Sequence, residues 1–134
     1  MATLYHYTSM NALALIARDR ALKPFVYGND KLRGAGVYCM AEDVGTPWMA
    51  KPDAATTRGA ARADKRLVRF AVRVPDEDAH TLNYDRSKFD AEEWRMVALL
   101  RVVRRAVPEA EWLDVSYRAH PGARWKPIPI PIPL

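Results

Sequence analysis

A chain of 134 residues, 49% of them hydrophobic, can bury one core but not two, so a single domain over residues 1–134 is expected. Twenty-one basic against sixteen acidic side chains give a net charge of +5, which fits an anionic partner such as a dinucleotide or nucleic acid, or simply a solvated basic surface. The single cysteine, Cys39, excludes an internal disulfide; with no leader pattern and no apolar run near the ~20 residues that span a bilayer, a cytoplasmic protein without a membrane partner is expected.

Thr3 to Tyr7 is short and aromatic and ends at Thr8-Ser9, which reads as a first strand followed by a helix capped by Ser9. Between Met10 and Arg20, the residues Ala12, Leu13, Leu15, Ile16 and Ala17 recur at helical spacing, and Leu22 and Pro24 end the run. Such a helix packs behind the first strand and fixes the direction of His6. Phe25 to Arg33, with Gly28, Asn29 and Asp30, reads as a polar loop ahead of Gly34-Ala35-Gly36. Glycine there lets a backbone approach a ligand without a Cβ in the way, although an ordinary loop-to-strand turn has the same composition. Val37 to Met40 is the second strand, with Cys39 as a buried, reduced thiol in its apolar pattern.

From Ala41 to Lys65, alanine, threonine, proline and glycine mix, with Trp48 and Met49 as the large apolar groups, and a long loop is expected. Within it, Thr56-Thr57-Arg58 is a polar cluster that reaches a phosphate or ribose in one reading and is a solvated loop in the other. Leu67 to Val74 alternates with period two, Val68, Phe70, Val72 and Val74 on one face and Leu67, Arg69, Ala71 and Arg73 on the other. Pro75 ends that strand, Asp76-Glu77-Asp78 makes a turn, and His80 to Tyr84 forms another short strand.

Asp90 with Glu93 is a capping-box-like start for a helix running to about Arg105, with Met96, Leu99, Leu100 and Val103 as its buried stripe. Arg101, Arg104 and Arg105 then gather near its C-terminus, where the helix dipole favours cations. Trp112 to Tyr117 reads as a late strand and His120-Pro121-Gly122 as a turn. In the tail from Trp125 to Leu134, four prolines from Pro127 to Pro133 alternate with Ile128, Ile130, Ile132 and Leu134. A polyproline helix would scatter the isoleucines, whereas an extended strand aligns them on one face. The tail is therefore expected as an edge strand that pairs on one side only, every missing proline donor facing the other side.

Leu4-Tyr5-His6-Tyr7-Thr8-Ser9 and Gly34-Ala35-Gly36-Val37-Tyr38-Cys39, with a helix and a loop between them, resemble the two nicotinamide-handling strands of the ADP-ribosyltransferase family. The match covers roughly the first third of the chain. It implies an α+β fold of split, mainly antiparallel β-sheets with two main helices and an NAD groove between the sheet halves. It further implies that His6 binds the adenosine ribose and the nicotinamide amide, that Thr8 supports that strand end, and that Tyr38 stacks on the ring. Tyr7, Gly36, Thr57 and Arg58 complete the implied NAD contacts. Breaking the nicotinamide–ribose bond passes through an oxocarbenium-like species that a carboxylate stabilises, and the family supplies an acid on a late strand. Glu111, in Glu111-Trp112-Leu113-Asp114-Val115, is the first choice and Asp114 the second, while Glu92 and Glu93 read as first-turn helix acids.

The activity implied is mono-ADP-ribosyl transfer from NAD to a protein or nucleic-acid acceptor, in a toxin or phage effector with an antitoxin or immunity partner. The alternatives are a relative that hydrolyses NAD, a transferase acting on an RNA phosphate, and a catalytically inert nucleic-acid-binding module. His6 and Tyr38 also have plain readings, as a core-bonded imidazole and a core ring. His6, His80 and His120 lack partners at ligand spacing, so no metal site is expected. Trp48, Trp94, Trp112 and Trp125 read as core or rim aromatics.

Overall fold

A computed structural model describes residues 1–26, 34–45 and 67–133 and shows an α+β chain whose described part has two α-helices and a mainly antiparallel sheet. In chain order the elements are β1 (Ala2–Thr8), α1 (Met10–Asp19), β2 (Ala21–Leu22), β3 (Phe25–Val26), β4 (Ala35–Met40) and β5 (Val68–Val74). There follow β6 (His80–Thr81), α2 (Ala91–Val97), β7 (Leu100–Val103), β8 (Val107–Pro108), β9 (Trp112–Tyr117) and β10 (Lys126–Ile128). No described helix is long and apolar enough to cross a membrane.

The strand order is β10-β9-β5-β1-β4-β7-β6. On one side β1 makes a full ladder with β5, from Ala2↔Val74 to Thr8↔Val68. On its other side it meets β4 at one register pair alone, Tyr5↔Met40. Beyond that pair the two strands diverge, and the first residues of β4 pair instead with β3, through Phe25↔Gly36 and Val26↔Ala35. The sheet is thus two halves joined at a narrow seam.

Period-two alternation explains the packing. Leu4 of β1, Val68, Phe70, Val72 and Val74 of β5, and Trp112 and Val115 of β9 share a cluster on the face that α1 covers with Leu13 and Ile16. Phe70 and Trp112 meet edge to face, ring centroids 4.9 Å apart. On the other face Tyr7, Tyr38, Met40, Leu100 and Val102 pack with Val97 of α2. Because Val37 and Cys39 enter the first cluster while Tyr38 and Met40 enter the second, β4 is buried on both faces, which is why its sequence shows no polar alternation.

Ser9 caps α1 as expected, its Oγ accepting from the Ala12 N–H at 3.1 Å. The helix ends at Arg20, a non-glycine residue in the left-handed region with φ 51°. Its carbonyl accepts from the Glu109 N–H at 2.9 Å, and the following β2 pairs with β8. At α2 the capping box is present, with Asp90 accepting from the Glu93 N–H at 2.7 Å.

That helix does not run to Arg105. It stops at Val97, and the stretch expected as its second half is β7, paired with β4 from Val37↔Val103 to Met40↔Leu100. The β-branched pair Val102-Val103 favours a strand, and pairing with β4 and β6 supplies the partners. Arg104 and Arg105 are consequently not helix-end cations, whereas Arg101 still donates to the carbonyl of Ala98, the C-cap of α2, at 3.0 Å. The expected loop from Phe25 begins as β3, and the strand expected over His80 to Tyr84 shortens to His80–Thr81. At the other end of the sheet, β10 pairs with β9 over Lys126–Ile128 and is last in the strand order, the expected edge position, but the strand ends at Ile128 and residues 129–133 of the proline-rich tail, expected to continue it, are not strand.

Candidate functional site

His6 and Tyr7 are neighbours on β1 and point to opposite faces of the sheet. His6 faces α1 at the place where β1 and β4 part. Its Nδ1 lies 2.8 Å from the Tyr38 carbonyl oxygen. A carbonyl can only accept, so Nδ1 carries the proton and the imidazole bridges the seam where ladder bonds have ceased. Beside it opens a cleft of about 360 Å³ between the end of β1 and α1, lined among others by His6, Thr8, Ser9, Leu22, Phe25 and Gly36. Its size lies at the lower end of the range for small-ligand pockets. Phe25 is 60% exposed at this site. A Cβ on Gly36 would come within 2.2 Å of Val102 Cγ2, so only glycine lets β4 pass β7 here.

The ring of Tyr38 does not enter this cleft. It is 2% exposed and packed in the second cluster, its hydroxyl donating to the Gly34 carbonyl at 2.8 Å. Arg104 adds a bond from Nη1 to the Ala35 carbonyl at 2.9 Å and lies 3.4 Å from the Tyr38 hydroxyl. The expectation that imidazole and phenol ring converge on one ligand is therefore corrected. His6 meets the backbone of Tyr38, because alternation along β4 sends its side chain to the far face.

Neither expected acid reaches the cleft. Glu111 ends a short 3₁₀ turn before β9, where both its oxygens are held by Arg105, at 2.5 and 2.9 Å. Arg105 also binds Asp78 at 2.8 Å, and these carboxylates, Glu111 first, hold its guanidinium above its ordinary pKa. Trp112 is in register with Val72 and so with Leu4, which leaves about 13 Å of strand between this cluster and the Thr8 end of β1. Asp114 stands opposite Ala71, exposed, just after a register shift between β5 and β9. Among the described residues the carboxylate that lines the cleft is Asp19. It pairs with Arg18 at 3.1 Å and Lys23 at 3.4 Å, and the Arg18 hydrogen bond leads in holding its carboxyl below the usual range.

Thr57 and Arg58 lie outside the described residues. Cys39 is buried, and burial pushes its thiol up to about 12, so it is no nucleophile at neutral pH. Among the described residues no group of three or more metal-ligating side chains gathers.

Tyr7 centres a polar cluster on the second face, which the sequence reading missed. Its hydroxyl donates to Asp43 and accepts from the Gly45 N–H at 3.1 Å. Burial first, and the Asp43 bond second, push the phenol well above its ordinary pKa. Asp43 also accepts from Arg69 at 2.5 Å, and Arg118 donates to the Gly45 carbonyl at 2.5 Å. Both guanidinium groups lie over the ring of Trp125, at 4.5 Å for Arg69 and 4.2 Å for Arg118. The only sequence signal was that Arg69 sits on the polar side of an alternating strand.

No protein-family model matches the chain, and neither a curated protein nor a solved structure matches it.

Proposed function

We propose that the cleft at the β1–β4 seam binds the nicotinamide–ribose half of NAD, and that the chain is a mono-ADP-ribosyltransferase acting on a protein or nucleic-acid acceptor. The observation that carries this reading is the parting of β1 and β4 after one register pair, with His6 bridging the gap beside a cleft of about 360 Å³. These are the two strands on which the family resemblance rests, and a split antiparallel sheet with an NAD groove is the arrangement it implies. In this reading the fixed imidazole orients a ribose, Phe25 offers the apolar ring surface, and Asp19 favours positive charge on the ribose as the glycosidic bond breaks. The setting of a toxin or phage effector with an immunity partner goes with it.

A second reading has its own observation. Because Glu111 is held by Arg105 and Asp114 lies on the other face, the cleft would bind NAD or a nucleotide without turnover.

Release of nicotinamide from NAD labelled on that ring separates the two. The transferase reading expects release by the wild type and by Glu111→Gln, with at least tenfold slower release by His6→Ala and Asp19→Asn. An NAD-dependent rise in Tm without release supports the second reading. With neither release nor a Tm response, both fall.

A further inference from the structure

At the β6 edge of the sheet, the end of the strand order away from β10, a second cavity of about 330 Å³ opens between the residues after β6 and the junction of α2 with β7. Leu82, Trp94, Val97 and Leu100 give it apolar walls, and among the described residues Arg101 is the one charged residue that lines it. Two other half-buried guanidinium groups are neutralised by acids, Arg69 by Asp43 and Arg105 by Asp78 and Glu111. Arg101, also half-buried, has no carboxylate. Its hydrogen-bond partners among the described residues are two backbone carbonyls, Leu100 at 2.8 Å and Ala98 at 3.0 Å, and both accept from Nη1.

Ala98 ends α2, so the helix dipole accounts for the engagement of Nη1. It leaves the edge formed by Nε and Nη2. That edge is a planar fork matched to the two oxygens of a carboxylate, and the bonds at Nη1 orient it before a ligand arrives, so little side-chain freedom is lost on binding. A single cation in the lining suits a ligand with one negative charge, whereas a phosphate carries more oxygens and up to two charges. Arg86 stands over the Trp94 ring at 5.8 Å, outside the lining, and adds to the positive field. The volume is at the lower end of the range for small-ligand pockets, room for a body of ring size, with Trp94 in the wall for an aromatic ring to pack against.

We infer that this cavity binds a small aromatic monocarboxylate, its carboxylate seated on the Arg101 fork and its ring beside Trp94. The cavity is built from other elements than the cleft at the β1–β4 seam, and the inference does not depend on NAD being the ligand there.

The test is the Tm of the full chain titrated with benzoate, ionic strength being held constant with chloride. A saturable rise in Tm is expected for the wild type. Benzamide, which has the ring without the charge, and acetate, which has the charge without the ring, should each bind at least about tenfold more weakly. Arg101→Lys keeps the charge and loses the fork, and should weaken benzoate binding about tenfold. Ala98→Leu enlarges an exposed residue of the lining, so it should keep the wild-type Tm in chloride and lose the benzoate response, and it serves if Arg101→Lys fails to fold. His6→Ala should bind benzoate as the wild type does, which separates this cavity from the cleft. A Tm that responds to benzoate no more than to chloride, wild-type benzoate binding by either lining variant, or a response lost in His6→Ala overturns the proposal. Tighter binding of phenyl phosphate than of benzoate overturns the choice of a carboxylate.

Discussion

Toward α1, the strand pair β1–β5 is dry: Leu4, Phe70, Val72 and Trp112 pack into one apolar cluster whose stability comes from area removed from water. Toward the other side the same two strands present Tyr7 and Arg69, which join Asp43, Arg118 and Trp125 in a network of charges, hydrogen bonds and ring contacts. One residue of shift along β1 separates the two regimes, since His6 faces one and Tyr7 the other. The dry face fixes the fold and tolerates little loss of volume. The charged face has to balance donors against acceptors.

The largest effect should come from breaking the dry face. Trp112→Ala removes the edge contact with Phe70 and the bond from Nε1 to the Val107 carbonyl, and should cost about 4 kcal/mol in urea unfolding. A loss under about 1 kcal/mol would show that the apolar cluster is not the main source of stability. Tyr7→Phe strikes the charged face more gently. It leaves Asp43 with one donor fewer and the Gly45 N–H without its phenol acceptor, for about 2 kcal/mol by the same measurement.

Alkaline pH reaches both faces at once. Cys39 in the dry cluster and Tyr7 in the charged one have pKa values raised in the folded state, so between their unfolded and folded values the unfolded chain has lost protons that the native one keeps. Stability is full below about pH 9 and falls as pH rises toward 12, by about 1 kcal/mol at pH 10 from Cys39. A Cys39→Ala variant should lose that part of the pH dependence, and an unchanged alkaline slope would refute the assignment.

Much of this architecture could be read from residues. The alternation of β5 gave its two faces directly, Ser9 and Asp90 marked helix starts, and the tail gave an edge strand in its first residues alone, Lys126–Ile128. The second half of the expected long helix failed because Met96, Leu99, Leu100 and Val103 fit a helical stripe as well as a buried strand, and partner strands decided between them. The site was legible only in part. His6 could be placed at a strand end, but the face taken by Tyr38 depends on the register of β4, and Glu111 was claimed by Arg105 through a pairing that no spacing reveals. The cluster around Trp125 draws on residues from Tyr7 to Trp125, brought together by pairing across the sheet alone.

The helix that walls the cleft is fastened at both ends. Ser9, directly after β1, caps its start through the Ala12 N–H, and at its finish the Arg20 carbonyl takes the Glu109 N–H while β2 zips to β8. A jaw anchored in this way holds its gape before anything enters it. A guest meets a wall already set, forfeits little disorder on arrival, and is chosen by girth rather than by how far the protein can yield.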